Sequence, residues 1–316
     1  MAQELLSQQQ SIQIRDDQVR FVERITQSFE IVADTLDPNS RRIYVGDLRT
    51  FVQWLFERDS TLDRAAMAAY HRFLDEHYKK TTAKRMWSVV FRTLQAMIDD
   101  HYLDEHPARG IRGFKAQGNY TKHIALSKDD AKKLLSVVPA DTMKGKRDLA
   151  MLQVLLYTGL RRSECASLTL GQMRQVQGHQ VLLLEEEDTK NNEAAMVKLP
   201  VKVWRTIQDY LQATGRIQLS ETAPLFAAFR KGDTLVETSI SDMVIYRTVI
   251  EYAKVANIKG LLPHGMRASF ITLSLEGGAP LYKVAHNARY KGSRMTEHYL
   301  KRKQDLDKSA VDYMEM

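Results

Sequence analysis

Thr158-Gly159-Leu160-Arg161-Arg162-Ser163-Glu164 follows an apolar run, residues 149–157, and separates it from a short helical pattern that begins near Arg162. A glycine lets the chain turn sharply, and an arginine just beyond such a turn can project into a cleft. Glu164 stands three residues past Arg161, near enough to orient its guanidinium. Alone, the string also reads as a helix end with a surface ion pair. Its neighbours decide between the two.

Downstream, residues 180–184 (Gln-Val-Leu-Leu-Leu) read as a strand, and residues 194–199 read as its partner, ending at Pro200. Asn191-Asn192 supplies the turn between them, because Asn tolerates positive φ. Lys190 then sits at the hairpin tip. Past Pro200 the pattern becomes helical at 203–213, 239–256, 266–276 and 282–288, with a further helix and tail over 296–316. Upstream, Ser127 reads as a helix cap, with Asp129 and Asp130 in the first turn, where the helix dipole favours negative charge. The expected architecture is mainly α with one small antiparallel β-sheet.

The first 112 residues read as helices. Asp37-Pro38-Asn39-Ser40 forms a turn and cap. Leu48, Phe51, Val52, Leu55 and Phe56 then mark one buried face, with Arg41 at the helix start and Arg42 and Arg49 off the stripe. A later helix starts near Thr81 or Thr82 and carries the stripe Trp87, Val90, Phe91, Leu94 and Ile98. Lys79, Lys80, Lys84 and Arg85 cluster at its start with no acid among them. A solvated charged face explains either helix alone. Two basic helices in one small domain suggest a DNA-facing surface. His106-Pro107 breaks the helical pattern, and Gly110, Gly113 and Gly118 punctuate the stretch beyond it. The expected division is a helical domain over 1–112, a linker over 113–124 and a second domain over 125–316.

Composition agrees with a two-domain globular chain: 316 residues, 44% hydrophobic and 27% charged. The formal net charge of +7 favours a polyanionic partner. No apolar run reaches the length of a membrane span, and the polar, Gln-rich start does not read as a secretory signal. Cys165 is the one cysteine, which excludes an intrachain disulfide and fits a reducing compartment.

Three more strings complete the pattern. His264-Gly265-Met266-Arg267 follows Leu261-Leu262-Pro263 and sets a His and an Arg one helical turn apart. Gly277-Gly278-Ala279-Pro280 leads through a short helix to Ala288-Arg289-Tyr290-Lys291-Gly292. Met295-Thr296-Glu297-His298-Tyr299-Leu300 comes last. In this order and spacing the strings resemble the catalytic domain of the tyrosine recombinases, or phage-integrase-like proteins, over roughly residues 125–305. The helical region before it suits that family's N-terminal core-binding (SAM-like) DNA-binding domain.

The resemblance implies a catalytic set of Tyr299 as nucleophile with Arg161, Lys190, His264 and Arg267, and Glu164 in support. One slot departs. The family usually has a His, sometimes a Trp, nine residues before the nucleophile, often in a Leu-Gly-His string. Here the slot holds Tyr290, in Ala288-Arg289-Tyr290. His286 lies four residues too early, on the preceding helix. A tyrosine can donate a hydrogen bond and pack its ring, but it does not titrate near pH 7.

The implied reaction is site-specific DNA cleavage and rejoining through a 3′-phosphotyrosine, of integrase, resolvase or inversion type, without metal, ATP or other cofactor. The expected partners are duplex DNA target sites and, on DNA, three further copies of this chain in a tetramer, with an accessory DNA-bending protein as a further candidate and no membrane. Arg41, Arg42, Lys79, Lys80, Lys84 and Arg85 are the expected DNA contacts of the first domain, and the two domains are expected to clamp the duplex from opposite sides. Leu306, Ala310, Val311 and Tyr313 form a thin apolar stripe expected to dock on a neighbouring subunit. The expected location is cytoplasmic, with the nucleoid, for a prokaryotic, phage, plasmid or transposon protein. Two alternatives remain: a type IB topoisomerase-like nickase–ligase, and a DNA-binding or architectural protein that has lost cleavage.

Overall fold

The computed structural model describes residues 16–34, 36–115, 124–186 and 194–290. Lys190, the Asn191-Asn192 turn, Tyr299 and the tail from Lys301 onward lie outside the described residues. Chain contacts divide the protein into two compact units, Met1–Gly118 and Asn119–Met316.

The first unit holds four helices among its described residues: α1 (Asp16–Ala33), α2 (Pro38–Glu57), α3 (Arg64–His77) and α4 (Lys80–Asp99). Val22, Ile25, Phe29 and Ala33 recur at helical spacing on α1 and are fully or nearly fully buried. The five expected apolar positions of α2 are all buried, as are Trp87, Val90 and Leu94 of α4. Phe91 and Ile98 are half-buried, and Met86, Val89 and Met97 widen the stripe. The sequence places the caps as well. Asp37 accepts hydrogen bonds from the amides of Asn39 and Ser40, both at 3.1 Å, with Pro38 in the first turn of α2. Asp63 accepts from the Ala66 amide at 2.8 Å to start α3. At the centre, Phe51 meets the Tyr70 ring edge-on at 4.8 Å, and Phe114 stacks on His71 at 4.0 Å.

The second unit begins with α5 (Lys128–Ser136), capped by Ser127, whose hydroxyl accepts from the Asp130 amide at 3.0 Å. Next comes α6 (Met143–Thr158), which is buried on nearly every side: Ala150, Met151, Leu152, Val154 and Leu155 are at most 1% exposed. A helix buried on nearly every side belongs at the centre of a domain, and α6 packs against two later helices, α8 (Val201–Ala213) and α10 (Pro263–Glu276). Its N-terminus is tied down from far along the chain. Asp233 accepts from the amides of Met143 at 2.9 Å and Lys144 at 2.7 Å. Buried Arg147 pairs with buried Asp148 and donates to the Ala227 carbonyl at 3.1 Å, while Tyr252 donates to Asp148 at 3.1 Å. A buried charge pair with these extra hydrogen bonds fixes one orientation of α6, and α6 ends at the turn that carries Arg161.

The short α7 (Arg162–Ser167) leads into a three-stranded antiparallel sheet of β1 (Met173–Val176), β2 (His179–Leu184) and β3 (Ala195–Lys198), in that spatial order. β2 and β3 pair as the sequence indicates, with Leu182 opposite Val197. β1 is additional. Met-Arg-Gln-Val shows neither alternation nor β-branched enrichment; its hairpin is made by Gln177 and Gly178, both at positive φ.

A second, two-stranded sheet, β4 (Ala227–Arg230) with β5 (Thr234–Ser239), corrects the expectation of a single sheet. β5 is largely exposed, so it carries no buried face to betray it, and it takes up residue 239, the expected start of the next helix. That helix, α9, runs Asp242–Val255. The last described element is α11 (Leu281–Asn287). Pro200, Pro263 and Pro280 stand at the starts of α8, α10 and α11, where a missing amide hydrogen does no harm.

Candidate active site

Arg161 stands between two helices, three positions past the last residue of α6 and immediately before the first of α7. Gly159 caps α6 in the left-handed conformation, φ +63°, and a Cβ there would come within 2.6 Å of the Phe270 ring. Both conditions demand glycine. Arg161 then opens α7. Its amide donates to Glu164 Oε2 at 2.7 Å and its Nη1 to Oε1 at 2.6 Å, so one carboxylate caps the helix and aims the guanidinium. The Arg161 side chain keeps about a fifth of its surface exposed, whereas Glu164 is buried. Burial alone would raise the Glu164 carboxyl; Arg289 and Arg161 together hold it below its ordinary value, as an anion.

Arg267 lies on α10 and is only 2% exposed. Its Nη1 donates to the Gly159 carbonyl at 2.6 Å, its Nη2 donates to the Ala288 carbonyl, and its Nε lies 3.5 Å from the Tyr290 hydroxyl. The guanidinium also stands over the Tyr290 ring, 4.7 Å from its centre. One side chain therefore ties the Gly159 turn to the end of α11. His264 is exposed on the first turn of α10, a turn before buried Arg267.

A cleft of about 430 Å³ opens beside these groups. Tyr157, Thr158 and Arg161 form one side, Ala194 to Lys198 of the β3 segment another, and Phe270, His286, Asn287, Arg289 and Tyr290 the third. Arg161 and Tyr290 of the expected set line this cleft; Arg267 lies behind Tyr290. The ring and hydroxyl of Tyr290 engage Arg267. His286 lines the cleft from α11 as an exposed side chain.

The sequence alone assigned no part to Arg289. It donates to Glu164 Oε2 at 2.6 Å with its side chain 8% exposed. A cation next to the atypical Tyr290 was the available signal. Its acid lies 125 residues earlier in the chain, so no local pattern linked the two.

In the first unit, Arg41 pairs with Glu30, Lys80 with Asp75, and Arg85 with Asp47 through two bonds at 2.7 and 2.9 Å. The acid-free start of α4 is thus answered by acids from other helices. The first two pairs are exposed and cheap to exchange for a phosphate. Arg85 is held more firmly, because Asp47 is buried and would lose its counter-charge. Lys79 precedes α4, and Lys84 is exposed on its first turn. Arg42 lies on the first turn of α2 and donates to Asn39 at 3.2 Å.

Residues 125–305 match the model of the phage integrase family. The tyrosine recombinase XerD of Yersinia pestis is 29% identical over 255 residues, covering 79% of this chain and 82% of its own. XerD of Pseudomonas putida is 30% identical over 261 residues, with the same coverages. Among solved structures, a lambda integrase dimer bound to a COC′ core site superposes with a TM-score of 0.70 at 14% identity, covering 92% of this chain and 98% of that one. A XerH recombinase bound to a palindromic difH substrate gives 0.68 at 15%, covering 94% and 88%. At these identities the two structures speak for the fold. With more than half of its length matched by the family model, and with Glu164 and Arg267 bonded to the Gly159–Arg161 turn, this chain belongs to the phage integrase family.

Proposed function

We propose that this protein is a site-specific tyrosine recombinase that cleaves and rejoins DNA through a 3′-phosphotyrosyl intermediate, with no need of metal or ATP. The observation that carries this reading is that Arg267 bonds the carbonyl of Gly159, in the turn whose Arg161, 106 positions earlier than Arg267, lines an open cleft. Phosphoryl transfer builds negative charge on the nonbridging oxygens. Guanidiniums suit it, since each offers paired planar donors and stays charged at any working pH. Arg161 faces the cleft ready to take the scissile phosphate, and Arg267 is its partner behind Tyr290.

The Tyr299 hydroxyl attacks phosphorus and the P–O5′ bond breaks. His264 takes the phenol proton, and Lys190 gives a proton to the departing 5′ oxygen. The phosphotyrosine conserves the bond, so an incoming 5′-hydroxyl can reverse the step. The substrate is duplex DNA, gripped by the second unit and by the first through Arg41, Arg42, Lys79, Lys80, Lys84 and Arg85. Exchange between two sites needs four active sites, hence a tetramer on DNA, with the tail from Leu306 onward docking on a neighbouring subunit. Such a protein works where the chromosome or an invading element is found, in a bacterial cytoplasm.

The reading is tested with a nicked suicide duplex carrying the target site, sought in DNA flanking the gene. The expected result is a covalent protein–DNA adduct that survives denaturation. Binding without any adduct would favour an architectural protein that has lost cleavage. Lys190→Ala should slow attachment to ordinary DNA strongly, yet slow a 5′-phosphorothiolate substrate far less, because sulfur leaves without a proton. Equal slowing of both removes Lys190 from the role of acid.

Tyr290 takes the place of the family's His or Trp as a packing and hydrogen-bonding group. Tyr290→Phe keeps the ring under Arg267 and loses one long hydrogen bond, so cleavage should fall only about tenfold or less. Tyr290→Ala also removes the ring and should fall further, while Tyr290→His should stay active. An inactive His variant beside a fully active Ala variant would transfer the slot to His286.

A further inference from the structure

Arg289 adopts φ +54°, in the left-handed region that a residue with a Cβ enters at a cost. Its guanidinium is nearly enclosed, donates to Glu164 Oε2 at 2.6 Å and reaches the Asn287 carbonyl at 3.3 Å. A buried cation on a strained backbone persists only where the surroundings hold it. Here the holder is the same carboxylate that aims Arg161. Burial lowers the proton affinity of Arg289, Glu164 opposes that, and Arg267 and Arg161 add to it. All three guanidiniums thus act on one another across this corner of the site.

The consequence is electrostatic. Glu164 and Arg161 alone form a neutral pair, and a phosphate approaching Arg161 would meet the carboxylate's repulsion with the guanidinium's attraction. Arg289 draws on the other oxygen of that carboxylate and lines the same cleft. The trio then carries a net single positive charge beside the place where negative charge must grow.

We propose that Arg289 is a positioning residue of the recombination site, which cancels the charge of Glu164 so that Arg161 presents its full charge to the scissile phosphate. The inference rests on the recombinase reading and deepens it. Arg289 acts through Glu164, and its contribution is charge, which distinguishes it from a brace between the ends of α7 and α11.

The test uses the full chain and the suicide duplex, with adduct formation followed in time and thermal stability measured alongside. Arg289→Gly suits the left-handed backbone and removes the cation; adduct formation should slow about tenfold or more, the scale of losing one charge-assisted interaction. Arg289→Lys keeps the charge and should stay close to the native rate. The decisive variant is Arg289→Gly combined with Glu164→Gln. It removes both opposing charges, and the glutamine oxygen can still accept from the Arg161 amide, so adduct formation should be faster than with Arg289→Gly alone. A bracing role predicts instead that the second substitution makes matters worse. A double variant slower than Arg289→Gly, or an Arg289→Gly variant as fast as the native chain, overturns the inference. A native chain that forms no adduct at all overturns the recombinase reading itself, whatever residue 289 does.

Discussion

Tyr299→Phe should abolish the covalent DNA adduct while leaving DNA affinity within about twofold of the native protein. The substitution removes one oxygen, the only atom that could bond to phosphorus, and leaves the ring and every cation in place. Affinity for duplex DNA rests on phosphate contacts and counterion release, with a salt slope of about −0.9 per phosphate on a log–log plot. That slope should be unchanged. The effect on attachment is therefore all or none, the largest expected from any single substitution here. The decisive measurement is mass-spectrometric mapping of the DNA-linked peptide from the native chain. An adduct on Tyr290, which lines the cleft, or on any other tyrosine would move the nucleophile and reopen the assignment of the last string.

The parts of this fold that were legible in the sequence are those written in local chemistry. The stripe from Leu48 to Phe56, the Asp37 and Ser127 caps, and the Gly159 stop each arise from spacing or from a residue whose side chain closes its own helix end. β5 stayed hidden because it lies exposed and alternates with nothing; it forms because its partner strand β4 and the Gly232-Asp233 turn lie beside it. The site divides in the same way. Arg161 and Glu164 could be paired from the sequence because they are three residues apart and meet across one helical turn. The Arg289–Glu164 contact and the answer of Asp47 to Arg85 are tertiary. No window of sequence contains both partners of either pair.

The two arginines of the proposed phosphate site should fail differently when removed, although both should fail. Loss of one preorganised donor to a developing anion typically costs about 10²–10³ in rate, and a full charge costs at least that. Arg161→Ala and Arg267→Ala should each fall by this much or more in adduct formation. Their folds should part company. Arg161 is partly exposed, and when it goes the Glu164 carboxylate keeps Arg289 as its counter-charge, so the melting temperature should hardly move. Arg267 is buried, and it satisfies the carbonyls of Gly159 and Ala288 and supports the Tyr290 ring. An alanine there strands two acceptors and opens a void, a loss on the order of 2–3 kcal/mol, or roughly 5–10 °C in melting temperature for a domain of this size. Arg267→Lys should recover part of the stability, since an ammonium can still reach a carbonyl, but little of the rate, since it lacks the planar fork. Paired melting curves and adduct time courses settle the matter. If Arg267→Ala melts like the native chain, the bonds of Arg267 to the Gly159 and Ala288 carbonyls do not stabilise the fold. If Arg161→Ala cleaves at the native rate, the phosphate is held elsewhere, and Lys198 or Arg289 on the same cleft becomes the next residue to remove.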